Sequence, residues 1–176
     1  MNTTLETVDK EQLHSLLLRS WMTHDAMWLA NTIREVGIER ANKLNRAAVR
    51  DMAVVEAKRI CKLIDLDAVR SFDDLRRFVE AATELVIPPF MDFTVEWSAT
   101  DSSMQFEITE CFAFDGVTML GIADDYECGI YERIYGWLNA FELSYEVSPT
   151  GDHCLKHQTG GCLRRITISF EDLGFP

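Results

Sequence analysis

The chain is short of positive charge. Lys and Arg number 17 against 29 Asp and Glu, for a formal net charge of −12. It therefore lacks the basic face that nucleic acid or an anionic membrane surface requires. No apolar run approaches the roughly 20 residues of a membrane span. The segment Met1 to Gln12 is polar and has no signal-peptide h-region. These absences predict a cytoplasmic protein whose thiols stay reduced. The five cysteines are an odd number, which fits poorly with a closed disulfide framework. No C-x-x-C pair, P-loop, dinucleotide fingerprint, internal repeat or low-complexity tract is found.

What the chain does have is an ordinary globular composition, with 47% hydrophobic residues over 176 positions. That length fits one domain, or two small lobes sharing a core. From about Asp9 to Val36, Leu18, Trp21, Met22, Trp28, Leu29, Ile33 and Val36 recur at helical spacing, and Gly37 is a plausible stop. Asp25 lies near the centre of that apolar stripe, with His24 at its edge. A carboxylate there is costly unless it is paired, hydrogen-bonded or protonated. It is either a buried Asp capping a backbone group or pairing with an Arg, or a site residue with a tuned pKa.

A second helix is expected from Ile38 to about Ile64, with Cys61 as a small core residue. A third begins at Ser71, a good N-cap with an acidic first turn, and stops before Pro88-Pro89. After Pro89 the period changes to two. Phe90–Ser98 and Met104–Cys111 alternate around the turn Thr100–Ser103 and predict a hairpin. A short helix around Val117 to Ile122 and an amphipathic one from Glu127 to Phe141 follow. Leu143–Val147 and Leu163–Phe170 then read as a second antiparallel pair joined by a polar loop, Ser148–Gly161. The expected fold class is α+β, with a helical lobe, 1–87, packed on a sheet lobe, 88–176, of order ββ-α-α-ββ. The two are expected to behave as one cooperative unit, with the first helix covering a sheet face made by Phe93, Val95, Trp97, Phe106 and Ile108.

Four cysteines fall between Cys111 and Cys162. Cys111 ends a strand, Cys128 precedes a helix, Cys154 lies in the polar loop, and Cys162 follows Gly160-Gly161 at the start of the last strand. Ends of elements are where a fold can converge side chains.

Two resemblances add to this. Ser20-Trp21, His24-Asp25 and Trp28, followed by Gly37 and Ala41-Asn42-Lys43-Leu44-Asn45, resemble the opening of a family of uncharacterised bacterial and archaeal proteins, a domain of unknown function common in anaerobes. In the second half the family's strand-end and helix-start cysteines correspond to Cys111 and to Cys128 with Tyr131 and Tyr135. Its later cysteines correspond to Cys154 and Cys162. The family's Cys-Pro-Pro-Asp motif is missing around Cys154, where the chain reads Cys154-Leu155-Lys156-His157. The second half is also distantly similar to the L-2-amino-thiazoline-4-carboxylic acid hydrolase family, through Cys111, Cys128 and Gly160-Gly161-Cys162. Both resemblances imply one cysteine constellation.

Three readings of the cysteines compete. Thiolates are soft ligands, so zinc, or alternatively an iron–sulfur cluster, is the expected occupant of a site made by Cys111, Cys128, Cys162 and Cys154. Three thiolates plus water would leave a position for Lewis-acid hydrolysis, whereas four would close the site. A nucleophilic thiol served by His24 and Asp25 is the second reading, weakened because adjacent helical residues point about 100° apart. Small core residues without chemistry are the third. His153 and His157 are spare ligands, and Glu110 is a weak general-base candidate beside Cys111. The expected function is a cysteine-ligated metal-binding protein. It acts either as a hydrolase-like enzyme on a small molecule, with Asp25, His24 and Glu110 as catalytic candidates, or as a non-catalytic sensor or carrier. The expected pocket lies between the lobes, walled by Trp21, Trp28 and Tyr131, with the thiols at one end and Asp25 at the other.

Overall fold

The structure is a computed structural model and describes residues 4–170. Helices come first: α1 (Thr4–Thr7), α2 (Lys10–Val36), α3 (Ile38–Leu63) and α4 (Phe72–Val86). Then come β1 (Phe93–Ser98), β2 (Ser103–Ile108), α5 (Phe112–Met119), α6 (Ile130–Ala140), β3 (Ser144–Ser148), α7 (Leu155–Thr159) and β4 (Leu163–Ser169). The four strands form one antiparallel sheet in the order β1-β2-β4-β3. The class is α+β, with a helical N-terminal part ahead of the sheet.

Local chemistry sets the helix ends. The Asp9 carboxylate accepts from the Glu11 and Gln12 amides and starts α2. Gly37, at φ 81°, makes the corner between α2 and α3, a conformation that glycine adopts without a Cβ penalty. Ser71 accepts from the Asp74 amide, while the Asp74 carboxylate accepts from Ser71 Oγ and from the Arg70 amide, which closes the start of α4.

The core lies between the sheet and the helices. Period-two alternation turns Met104, Phe106 and Ile108 of β2 and Arg164, Ile166 and Ile168 of β4 to the same buried side. Thr94, Glu96, Glu107 and Thr167 face solvent on the other side. α4 presents Leu75, Phe78, Val79 and Ala82, all buried, and Phe78 meets Trp137 and Phe141 edge-on. Each large side chain of this set contributes roughly 1.5–3 kcal/mol by leaving water.

α6 is the central element. Tyr131, Glu132, Arg133, Ile134, Gly136, Trp137 and Leu138 are all buried, so the helix is enclosed on every side rather than half-exposed as an amphipathic pattern implies. One face meets the sheet. The other meets α3 so closely that a Cβ on Gly136 would lie 2.6 Å from Ala53 Cβ and 2.6 Å from the Arg50 carbonyl oxygen. The charges on that face are paired. Glu132, 2% exposed, accepts from Arg46 and Arg50, and Glu56 accepts two bonds from Arg133 and one from Trp137 Nε1 at 2.9 Å.

Three expectations change. The inner sheet face is covered by α6 and α4, while α2 packs along α3. The core therefore reaches α2 through few side chains, Leu18, Met22 and Ala30 being its buried ones. The short helix expected around Val117 to Ile122 is α5 and begins at Phe112, because Cys111 already stands in extended geometry at its N-cap. The loop Ser148–Gly161 contains the turn of helix α7, closed by Gly160 in the left-handed conformation.

Candidate functional site

Four cysteines stand on four different chain segments within electrostatic reach of one another. Cys111 is the N-cap of α5, Cys154 is the N-cap of α7, and Cys128 comes just before the Gly129 N-cap of α6. Cys162 precedes β4, and its carbonyl accepts from the Ile108 amide at 2.9 Å. The strap between β3 and α7 delivers Cys154. The Cys128 amide donates to the Asp152 carbonyl at 2.6 Å, and Glu127 bridges His153. Arg46 ties Asp152 to Glu127 and Glu132. Cys111, Cys154 and Cys162 are buried, Cys128 is half-buried, and all are free thiols.

Burial pushes the Cys111 and Cys128 thiols up to about 11, and raises Cys162 as well. Mutual repulsion adds to this: Cys162 and Cys154 act on Cys111, Cys111 and Cys154 on Cys128, and Cys128 and Cys154 on Cys162. Every pairing of the four is thus within electrostatic reach. The amides of Ala113 and Phe114 at Cys111, and of Ile130 and Tyr131 at Cys128, pull the other way, as helix N-termini do. Among the described residues no group of three or more His, Cys, Asp or Glu is arranged to hold one metal ion.

Beside the thiols lies a buried cation. Arg164 is 2% exposed on the inner face of β4, two residues from Cys162 on the same side of the chain. It donates to Tyr135 Oη at 2.6 Å and to the Gly151 carbonyl at 2.7 Å. Its guanidinium lies 4.5 Å from the Tyr131 ring centroid. Tyr131 Oη in turn is 3.6 Å from Cys162 Sγ. No carboxylate pairs with Arg164 among the described residues, and its Nε is buried without a hydrogen-bond partner.

The second feature is a cavity of about 360 Å³ between α2, α3, α5 and α6. Its walls are mostly apolar, including Trp21, Trp28, Met52, Phe112, Val117 and Ile130. Phe112 and Gly129, which follow Cys111 and Cys128 in the chain, belong to its lining, so the two thiol-bearing helix starts form part of its wall. Its polar groups are His24, Asp25, Asn45, Tyr126 and Arg133. Asp25 is half-buried, and burial raises its carboxyl above the ordinary value despite the opposing pull of His24 and Arg133.

The sequence-derived candidates separate into two groups. Cys111, Cys128, Cys154 and Cys162 share one cluster, while Asp25 and His24 line the cavity. Glu110 is exposed and outside the cavity lining. His153 is exposed, and exposed His157 has its Nε2 2.7 Å from Asp124. Tyr131, expected as a cavity wall, is instead buried against Cys162 and Arg164. The polar partner expected for Asp25 is not there as a hydrogen bond among the described residues. Arg133, which acts on it electrostatically, gives its donors to Glu56 and the Val86 carbonyl.

Sequence reasoning gave no site role to Arg164, Arg133 or Asn45. Two of these left a signal. Arg164 keeps the two-residue phase of Ile166 and Ile168, and Arg133 lies on the helical stripe of Ile130 and Trp137.

A family match runs over residues 6–114, more than half of the chain. The chain belongs to a family of unknown function, DUF6125. The DUF6125 match takes in Asp25, His24 and Cys111 and ends before Cys128, Cys154 and Cys162. No curated protein matches the chain.

Proposed function

We propose that this DUF6125 protein carries a thiolate-ligated metal centre made by Cys111, Cys128, Cys154 and Cys162. The observation that carries the reading is Arg164, a buried guanidinium with an orphaned Nε and, among the described residues, no carboxylate partner, set beside the thiols. A buried charge without a counter-charge costs several kcal/mol. Neutral thiols supply no counter-charge, and burial keeps these thiols neutral. A metal reverses that balance, because a coordinating thiol is deprotonated outright. Four thiolates around a divalent ion leave a net charge of about −2 for Arg164 to neutralise.

Between the two candidate occupants, an iron–sulfur cluster is favoured over a single zinc. One zinc gathers its thiolates on bonds of about 2.3 Å, whereas a polynuclear cluster spreads its four ligands over a larger body. The described residues contain no group set for one ion, while all four thiols sense one another. Four thiolates leave no open position, which favours a non-catalytic sensing, carrying or structural role over a hydrolase-like one. The order of Cys111, Cys128 and Gly160-Gly161-Cys162 that resembles the thiazoline hydrolases does not by itself bring their ring-opening reaction with it.

The test is elemental analysis and absorption spectroscopy on protein isolated without metal-affinity resin. It is repeated after anaerobic reconstitution with iron and sulfide, and separately with Zn²⁺. The expected result is stoichiometric metal that is lost in Cys111→Ser, Cys128→Ser and Cys162→Ser. Folded wild-type protein that takes up no metal under any of these conditions refutes the proposal. Cys154→Ser separates the roles: loss of metal means a closed four-thiolate centre, and retention means a three-thiolate centre with an open position.

A further inference from the structure

The geometry points to the cavity between α2, α3, α5 and α6 as a binding site for a small organic ammonium ion, held by Asp25 with its apolar body against Trp21 and Trp28. The observations behind this are separate from the thiol cluster, so the site stands or falls independently of the metal centre.

The cavity's charged and polar groups are not equally free. Arg133 is buried, donates to both oxygens of Glu56 and to the Val86 carbonyl, and has its flat face 4.7 Å from the Trp21 ring centroid. Its charge is neutralised by Glu56 and three of its five N–H donors are engaged, so it has less to offer an anion. Asp25 is the opposite case: half-buried among apolar walls, with no hydrogen bond among the described residues. Asn45, 4% exposed, also lines the cavity without a hydrogen bond among the described residues. Two helices therefore each present a polar group, without a hydrogen bond among the described residues, to the same apolar cavity.

The tryptophans complete the match. Trp21 is 38% exposed and Trp28 40% exposed, unusual for indoles on the wall of a cavity. An aromatic face attracts a cation within about 6 Å of its centroid, and an ammonium ion beside a carboxylate gains a charge-assisted bond in place of water. A volume of about 360 Å³ is near the small end of the usual range for ligand sites, roughly 300–1,000 Å³, which limits the ligand to one ring or a short chain.

Binding a cation is coupled to the state of Asp25. Burial raises its carboxyl, and a bound ammonium ion would favour the ionised form. The charges acting on Asp25 are His24 on its own helix and Arg133 from α6, the latter paired with Glu56 from α3. Acid therefore weakens binding by protonating Asp25.

The test uses three probes of similar shape: 2-phenylethylamine, 2-phenylethanol and 3-phenylpropionate. Binding to the full chain is followed by calorimetry and by quenching of tryptophan fluorescence. The expected result is binding of the amine at least tenfold tighter than the alcohol near pH 8, weakening towards pH 5, with the carboxylate weakest. Asp25→Asn should reduce the amine's advantage over the alcohol to within about threefold while leaving the melting curve cooperative. Asn45→Ala should weaken amine and alcohol together. Equal or tighter binding of the carboxylate, an amine preference that survives Asp25→Asn, or no binding of any probe at millimolar concentration overturns the site.

Discussion

Gly136→Ala sets two ordinary effects against each other. In an exposed helix this change stabilises by roughly 0.5–1 kcal/mol, because glycine loses more backbone freedom on folding. Gly136 is not exposed: a Cβ there would sit 2.6 Å from Ala53 Cβ and 2.6 Å from the Arg50 carbonyl oxygen, with the Arg50 carbonyl carbon at 3.3 Å. Neither close neighbour can rotate away, since one is backbone and the other a methyl fixed to it. Relief requires α6 and α3 to part by roughly 0.8 Å, out to ordinary 3.4 Å contact. That movement would also loosen the bonds from Arg46 and Arg50 to Glu132. Overpacking of this kind costs about 1–3 kcal/mol, so the loss exceeds the helix-propensity gain. A net destabilisation of about 1–2 kcal/mol lowers the melting temperature by about 2–8 °C in a chain of this size. Thermal melts and urea midpoints of wild type and Gly136→Ala measure it directly. Adding Ala53→Gly removes one of the two clashes and should recover part of the loss, giving a favourable coupling in the double-mutant cycle. A Gly136→Ala protein that melts at or above wild type would refute the close α3–α6 contact.

The remaining predictions concern charge and capping. Arg164→Met removes the buried cation and its orphaned Nε. Metal-free protein should change by less than about 1 kcal/mol or gain stability. Metal affinity, read by chelator competition, should fall about 10–100-fold, as for other groups that support a metal site from outside its ligands, and unchanged affinity would remove Arg164 from the centre. Burial holds the Asp25 carboxyl above its ordinary value, so the folded form binds that proton more tightly than the unfolded form. The associated stability is full below the ordinary carboxylate pKa and is lost as pH rises through the raised one. Asp25→Asn should flatten that dependence and leave neutral-pH protein at least as stable as wild type, and a clear loss at about pH 7.5 would reveal a hidden partner. Ser71→Ala takes away the α4 cap and should cost about 1 kcal/mol in urea unfolding; an unchanged midpoint would mean that the exposed turn is capped by water equally well.

The elements were legible because their signals are local. Apolar spacing marked α2, α3 and α6, the Ser71 cap and the Pro88-Pro89 stop marked α4, the change of period after Pro89 marked the sheet, and Gly37 marked the end of α2. Each depends on residues within a few turns of one another, and side-chain direction follows from backbone geometry alone. Cys128 ahead of α6 and Cys162 ahead of the last strand were equally visible, as was the conflict of a carboxylate on the α2 stripe; Cys111, expected at a strand end, instead caps α5 beyond β2, and Cys154, expected in a loop, caps α7. What tertiary structure decided is which faces meet. α6 carries an amphipathic pattern that gives no hint of enclosure. It is enclosed because Gly136 lets α3 approach and because Glu132 and Arg133 find Arg46, Arg50 and Glu56 far away in the chain. With α6 and α4 filling the inner face of the sheet, α2 is left along α3, and the gap beside it becomes the cavity. Arg164 is the plainest case. Its sequence phase put it on the inner face of β4, but only the folded chain sets Tyr131, Cys162 and the β3–α7 strap around it, because a charge is hidden or compensated by neighbours that the sequence holds apart.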